Sequence, residues 1–181
     1  MTRRLLTVAL VGAECTGKTT LALALADHFG VPWVSEYARA YLEPRGGAYE
    51  PEDLIHIARG QWRREQAALR ASSGLVIVDT DALVIQIWSE VKYGTVPQVV
   101  GGQMRAAQLA AAAGERYYVV PYPDIPWEFD PLRESADSRT ALHARYVAEL
   151  KRQVLPFIEV HGPHTQRLAQ ALDGIAALTA R

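Results

Sequence analysis

Two hydrophobic periods alternate along this chain. Leu5–Val11 is a short apolar run of β-forming residues, as a strand buried on both faces requires. Lys18–Phe29 changes period, with Leu21, Leu25 and Phe29 four residues apart on one helical face and Gly30 as a stop. Val31–Ala38 reads as a second strand. Glu52–Arg70 is helical, with Ile55, Ala58, Trp62 and Leu69 on one face and Pro51 at its start. Gly74–Asp81 is the clearest buried strand and ends in acids. Asp81–Tyr93 and Gln98–Ala113 read as helices parted by Gly94 and Pro97. A fourth strand, Tyr117–Val120, is cut by Pro121. Ser138–Val154 is helical through Leu142, Tyr146 and Leu150. Pro156–Val160 gives a fifth strand, and Gln166–Leu178 a closing helix.

Strands that alternate with helices predict βαβ units, hence an α/β fold with a parallel five-stranded sheet and helices on both faces. Right-handed crossovers bring the C-terminal ends of the strands to one edge, where ligands bind. Candidate chemistry should therefore follow strands.

Composition narrows the function only slightly. The chain has 181 residues, 49% hydrophobic and 22% charged, which suits one domain over residues 1–181. A net charge of -1 argues against nucleic acid or an acidic membrane surface as partner. No stretch is long enough to span a membrane. The basic start "MTRR" leads into an apolar run that enters a glycine loop, so it reads as a buried strand and not as a signal peptide. Cys15 is the only cysteine, which rules out an internal disulfide and fits a cytoplasmic setting. Oligomeric state is left open, including a homo-oligomer.

The loop after the first strand carries the sharpest signal. "GAECTGKT", Gly12 to Thr19, matches G-x-x-x-x-G-K-[ST] with a strand before it and a helix after it. Such a loop turns successive backbone N–H groups onto phosphate oxygens, and its glycines permit the dihedrals and the close approach. The stretch Gly12, Glu14, Cys15, Thr16, Gly17, Lys18, Thr19 and Thr20 is therefore the expected nucleotide-binding segment. Lys18 would reach the β- and γ-phosphates, and the Thr19 hydroxyl would ligate Mg²⁺. Cys15 inside the loop reads as a small filler more than as an activated thiol.

The other strand ends add acids and arginines. Asp79 stands where phosphate-loop enzymes hold Mg²⁺, with a helix cap as its alternative reading. Asp81 divides evenly between an acceptor or catalytic role and a helix cap. Glu36, after the second strand, suits a carboxylate that orients an acceptor hydroxyl and takes its proton. Beside it, Tyr37 could stack on a ring and Arg39 could touch phosphate. "PWEFDPLRESADSR", Pro126–Arg139, is rich in proline and charge and suggests a lid over about residues 124–139. Arg133 and Arg139 would serve the transferring phosphate. Trp127 would stack on a base or anchor the loop. "HGPH", His161–His164, suits a loop bordering adenine better than a metal site.

Taken in order, "GAECTGKTTLA", "SEYARAYL", "VIVDTDAL", "PWEFDPLRE" and "PFIEV" resemble the ribosylnicotinamide kinase domain at the C-terminal end of NadR-type NAD-biosynthesis proteins and the small AAA-like ATPase family around it. The resemblance spans most of the chain. It implies a three-layer P-loop nucleoside-kinase-like fold and MgATP-dependent phosphorylation of nicotinamide riboside to the mononucleotide. It also implies that Glu36, Asp79 and Asp81 serve metal and ribose hydroxyls and that Arg133 serves the lid. The first strand begins at Leu5, leaving no room for an adenylyltransferase domain, so NAD itself is not an expected product. Two other readings stay open: a kinase of another nucleoside or nucleotide, and a nucleotide-switched ATPase that binds a partner.

Overall fold

The computed structural model describes residues 5–130 and 138–179. Its elements run β1 (Leu6–Leu10), α1 (Lys18–Phe29), β2 (Trp33–Val34), α2 (Tyr37–Leu42), a 3₁₀ turn (Glu43–Arg45), α3 (Pro51–Ala71), β3 (Leu75–Asp79), α4 (Ala82–Tyr93), α5 (Gln98–Ala112), β4 (Arg116–Pro121), α6 (Arg139–Arg152), β5 (Phe157–Val160) and α7 (His164–Thr179). The five strands form one parallel sheet in the order β2-β3-β1-β4-β5. β1 lies at its centre, so the loop after β1 opens at the middle of the ligand edge.

Strand alternation splits the core into two layers. Ala9, Val11, Val76, Val78, Tyr118 and Val120 face the helices α2 to α6. Val8, Leu10, Ile77 and Val119 face α1 and α7 through Leu21, Leu25, Ala171 and Ile175. Both faces of the sheet are thus covered, which is why its strands are almost wholly apolar. No helix among the described residues is long and apolar enough to cross a membrane.

Three expectations from the sequence need adjustment. The second strand shrinks from Val31–Ala38 to Trp33–Val34, which pair with Ile77 and Val78. Beyond Ser35 the chain turns into α2, because the Tyr37 N–H is taken by the Gln61 side chain and Ala38 and Leu42 enter the core. Phe29 does not join the apolar face of α1 and stays 37% exposed at its last residue. The proposed lid is described only at 124–130 and 138–139, and Arg133 lies outside the described residues.

Candidate functional site

The loop from Val11 to Gly17 joins β1 to α1. Gly12 and Gly17 have φ of 140° and 77°, a region that side chains rarely tolerate, so the glycine spacing read from the sequence is a backbone requirement. The Lys18 ammonium donates to the carbonyls of Gly12 and Ala13 at 3.1 and 2.8 Å, bent back over the loop. Thr16 Oγ1 donates to the Ala13 carbonyl at 3.0 Å. The first turn of α1 adds its partial positive charge at the same mouth.

Asp79 ends β3 beside this loop. Thr19 Oγ1 donates to Asp79 Oδ2 at 2.6 Å. Asp79 is 1% exposed, and its Oδ1 is buried with no hydrogen-bond partner among the described residues. Burial raises the Asp79 pKa; the Thr19 hydroxyl and the Lys18 and Arg39 charges pull the other way. A buried carboxylate oxygen without a donor, next to a threonine hydroxyl, fits Mg²⁺ or one of its waters. Thr19 and Asp79 are the residues that would hold the ion.

Glu36 enters the cleft from the loop after β2. It is the N-cap residue of α2 but its side chain makes no capping hydrogen bond, so its carboxylate is not spent on the helix. Burial raises its pKa; Lys18 lowers it, Asp79 raises it and Arg39 lowers it. Glu36, Lys18 and Thr19 line one cleft of about 620 Å³, within the range of small-molecule sites. Its far wall is built by Val84, Ile87 and Trp88 of α4 and by Leu142 and Tyr146 of α6. Arg39 also lines the cleft and pairs with Asp130 at 2.7 Å and Glu43 at 3.4 Å. Glu14, Cys15, Thr16 and Thr20 line the phosphate end.

Asp81 corrects an expectation. It does not line the cleft. Its Oδ1 caps α4 by accepting the Leu83 N–H at 2.9 Å, and its Oδ2 accepts Arg116 Nη2 and the Tyr118 hydroxyl, each at 2.9 Å. Arg116 also binds Glu65 at 2.7 Å, and all four side chains are buried. The physical reason is Thr80, whose φ of 66° breaks the strand between the two acids. Residues two apart on a strand would share a face; the left-handed turn sends Asp79 and Asp81 to different environments. Of the two roles left open for Asp81, the helix cap fits the geometry.

Of three other predicted contacts, those of Tyr37 and Arg139 fall elsewhere, and Trp127 takes the loop-anchoring one of its two readings. The Tyr37 ring packs on Gly60, where a Cβ would lie 2.2 Å from it, and Arg64 sits 4.7 Å over its face, so it is committed outside the cleft. Trp127 lies under the Arg139 guanidinium, 5.6 Å from its ring centre, and does not line the cleft. Arg139 donates to the carbonyls of Cys15 and Ile125 at 3.2 and 3.0 Å, so it fastens the phosphate loop to the base of the lid segment. Cys15 makes a second such link, its sulfur accepting the Glu128 N–H at 3.1 Å.

Three positions around the site escaped the sequence reading. Arg167 of α7 is 3% exposed and donates to carbonyls of three separate loops: Thr16, Tyr122 and Gly162. It also pairs with Asp124, which accepts the Gly162 N–H at 2.8 Å. The signal was present: Arg167 shares the apolar face of Ala171 and Ile175, where a cation needs a reason. Tyr146 was named only as a helix-face position and Trp88 only fell within a helix range, because nothing in a period of 3.6 tells a cleft wall from a core.

A family profile described as an AAA domain matches residues 7–167. The chain belongs to this AAA domain family. The AAA domain is 27% identical over 164 residues to the trifunctional NAD biosynthesis/regulator protein NadR of Salmonella typhimurium, a match covering 85% of this chain and 38% of that protein. Its fold matches a crystal structure of NadR in complex with NR at a TM-score of 0.71 and 22% identity, over 98% of this chain and 52% of that one. It also matches a deoxyadenosine kinase from M. mycoides at a TM-score of 0.66 and 13% identity, over 95% of this chain and 100% of that one. The three-layer P-loop nucleoside-kinase-like fold expected from the sequence is therefore the fold of this chain. The chain spans 38% of the curated relative's length and about half of the solved NadR chain.

Proposed function

We propose that this AAA domain is an MgATP-dependent kinase that phosphorylates a nucleoside hydroxyl, with nicotinamide riboside as the first candidate acceptor. One observation carries the reading. An uncapped, half-buried carboxylate, Glu36, shares a cleft with Lys18 and Thr19, and that cleft continues to the aromatic wall of Trp88 and Tyr146. A nucleotide switch needs the phosphate end alone; an acceptor pocket is superfluous to it. The likeness to NadR and to a deoxyadenosine kinase supports a nucleoside as acceptor. The single cysteine goes with a cytoplasmic setting.

The roles follow from the placement. The loop amides and Lys18 hold the triphosphate and offset charge as it shifts toward the β–γ bridge. Thr19 and Asp79 would hold Mg²⁺, which neutralises the phosphates and favours departure of ADP. Glu36 accepts the hydroxyl proton as the acceptor oxygen bonds to the γ-phosphorus and the bond to ADP breaks. Trp88 and Tyr146 pack on the base, and their faces suit a cationic pyridinium. Arg133 and the lid segment remain candidates for the transferring phosphate.

A second reading has its own observation. Arg39 and Lys92 both line the cleft, and two cations suit an acceptor that already carries a negative charge. The deciding experiment is product analysis with MgATP across nicotinamide riboside, uridine, cytidine, thymidine, adenosine and their monophosphates, with Lys18→Met as inactive control. Preferred turnover of nicotinamide riboside supports the proposal. Tenfold better turnover of another acceptor replaces the substrate. Slow ATP hydrolysis with no phosphorylated product replaces the kinase by the switch.

A further inference from the structure

We infer that Gln61 is a positioning residue that sets the spacing of the Glu36 and Asp79 carboxylates. It is 3% exposed on α3 and does not line the cleft. Its side-chain amide is spent on the backbone of two different loops. Oε1 accepts the Tyr37 N–H at 2.7 Å, and Nε2 donates to the Thr80 carbonyl at 3.0 Å. Tyr37 directly follows Glu36, and Thr80 directly follows Asp79. One planar amide therefore ties the residue after each acid to a single rigid helix.

The tie has work to do. Glu36, half-buried in the cleft, and Asp79, buried beside the phosphate loop, are like charges with little water around them, and each gains if the loops part. Thr80 is β-branched and holds a φ of 66°, a conformation that persists only where surroundings impose it. The Leu10 carbonyl fixes its N–H at 3.1 Å, and Gln61 fixes its carbonyl. Gly60, one residue earlier, lets the Tyr37 ring lie against the helix, so α2 can come close enough for the amide to reach. Glutamine is the side chain the task needs, offering one acceptor to an N–H and one donor to a C=O. Glutamate would face the Thr80 carbonyl with a second acceptor, and methionine would supply neither group.

The inference rests on the kinase reading for Glu36 and Asp79, so the test needs a readout that survives the loss of that reading. Gln61→Met and Gln61→Glu are compared with Gln103→Met, which removes a buried hydrogen bond to the Ala58 carbonyl of the same helix but touches neither acid loop. Calorimetry measures ATP affinity with and without Mg²⁺, and steady-state kinetics separate kcat from acceptor KM. Both Gln61 variants should lose about tenfold or more in kcat, as misplacement of reacting groups does. They should also lose most of the Mg²⁺ enhancement of ATP binding while keeping metal-free ATP affinity. Gln103→Met should keep both for a similar fall in Tm. Wild-type kcat and Mg²⁺ enhancement in folded Gln61→Met would overturn the inference. If the wild-type chain phosphorylates no nucleoside, the kinase reading fails and the Mg²⁺ arm alone decides Gln61. In the wild-type chain the Tyr37 amide should exchange as slowly as the amides of β1; fast exchange would overturn the tie even if the variants do not fold.

Discussion

Thr19 Oγ1 donates to Asp79 Oδ2 across 2.6 Å, so the hydroxyl and the carboxylate that would share one ion are already in contact. Asp79→Asn keeps an acceptor for Thr19 but removes the charge. The Mg²⁺ concentration for half-maximal activity should rise about tenfold or more, with little change in metal-free ATP affinity. A magnesium titration of turnover checks this; an unchanged curve would remove Asp79 from the metal site.

Glu36 should show in the pH profile. Burial lifts its pKa above 4.5, so the acid limb of kcat/KM should lie above the ordinary glutamate value. Glu36→Gln should cost about 10²–10⁴ in kcat, with metal-free ATP affinity unchanged. The same shift has a stability sign. A folded pKa above the unfolded one means the charged carboxylate penalises the fold, a penalty absent below pH 4.5 and complete once pH passes the folded pKa. Glu36→Gln should therefore melt at or above the wild-type temperature at pH 7 and lose that advantage near pH 4. Thermal melts at the two pH values test it.

Asp81 should behave as a structural acid. Asp81→Ala removes a helix cap and one partner of buried Arg116, and loss of a buried ion partner costs about 3–5 kcal/mol. Denaturation should reveal that loss, while the folded protein at low temperature should keep Mg²⁺ dependence and acceptor KM near wild type. A selective rise in acceptor KM without destabilisation would restore Asp81 to the acceptor site.

Trp88 tests the acceptor wall. It is half-buried, its Nε1 donates to the Tyr49 hydroxyl at 2.7 Å, and its ring borders the cleft. Trp88→Ala should raise acceptor KM about tenfold or more and leave ATP KM within about twofold. Equal changes in both would place the effect on the fold.

Much of this was legible in the chain, because the strongest constraints are local. The order of strands, the glycine loop, and the positions of Lys18, Thr19, Asp79 and Glu36 on one edge all follow from period and spacing. Asp81 shows where that reasoning stops. A single left-handed residue, Thr80, redirects the chain, and no period announces a positive φ at threonine. Tyr37 fails for a related reason: its place is set by Gly60, more than twenty residues away in the chain, and not by its neighbours. Arg167 was visible as a cation on an apolar helix face, whereas Gln61 lies off the face read for its helix, whose buried side is Leu54, Ile57, Ala58 and Gln61; the partners of both are main-chain groups of distant loops, which no sequence pattern names.

The central strand carries a consequence for how the protein is made. β1 leaves the ribosome well before its two neighbours in the sheet, residues 75–79 and 116–119, and before the arginine beneath its loop, residue 167. Loop closures of this length are slow, and a nascent chain cannot make them until most of it has been synthesised. The glycine loop thus acquires its shape long after it has been translated. A ribosome-stalled fragment ending before α7 would carry the whole glycine motif and still hold nucleotide poorly.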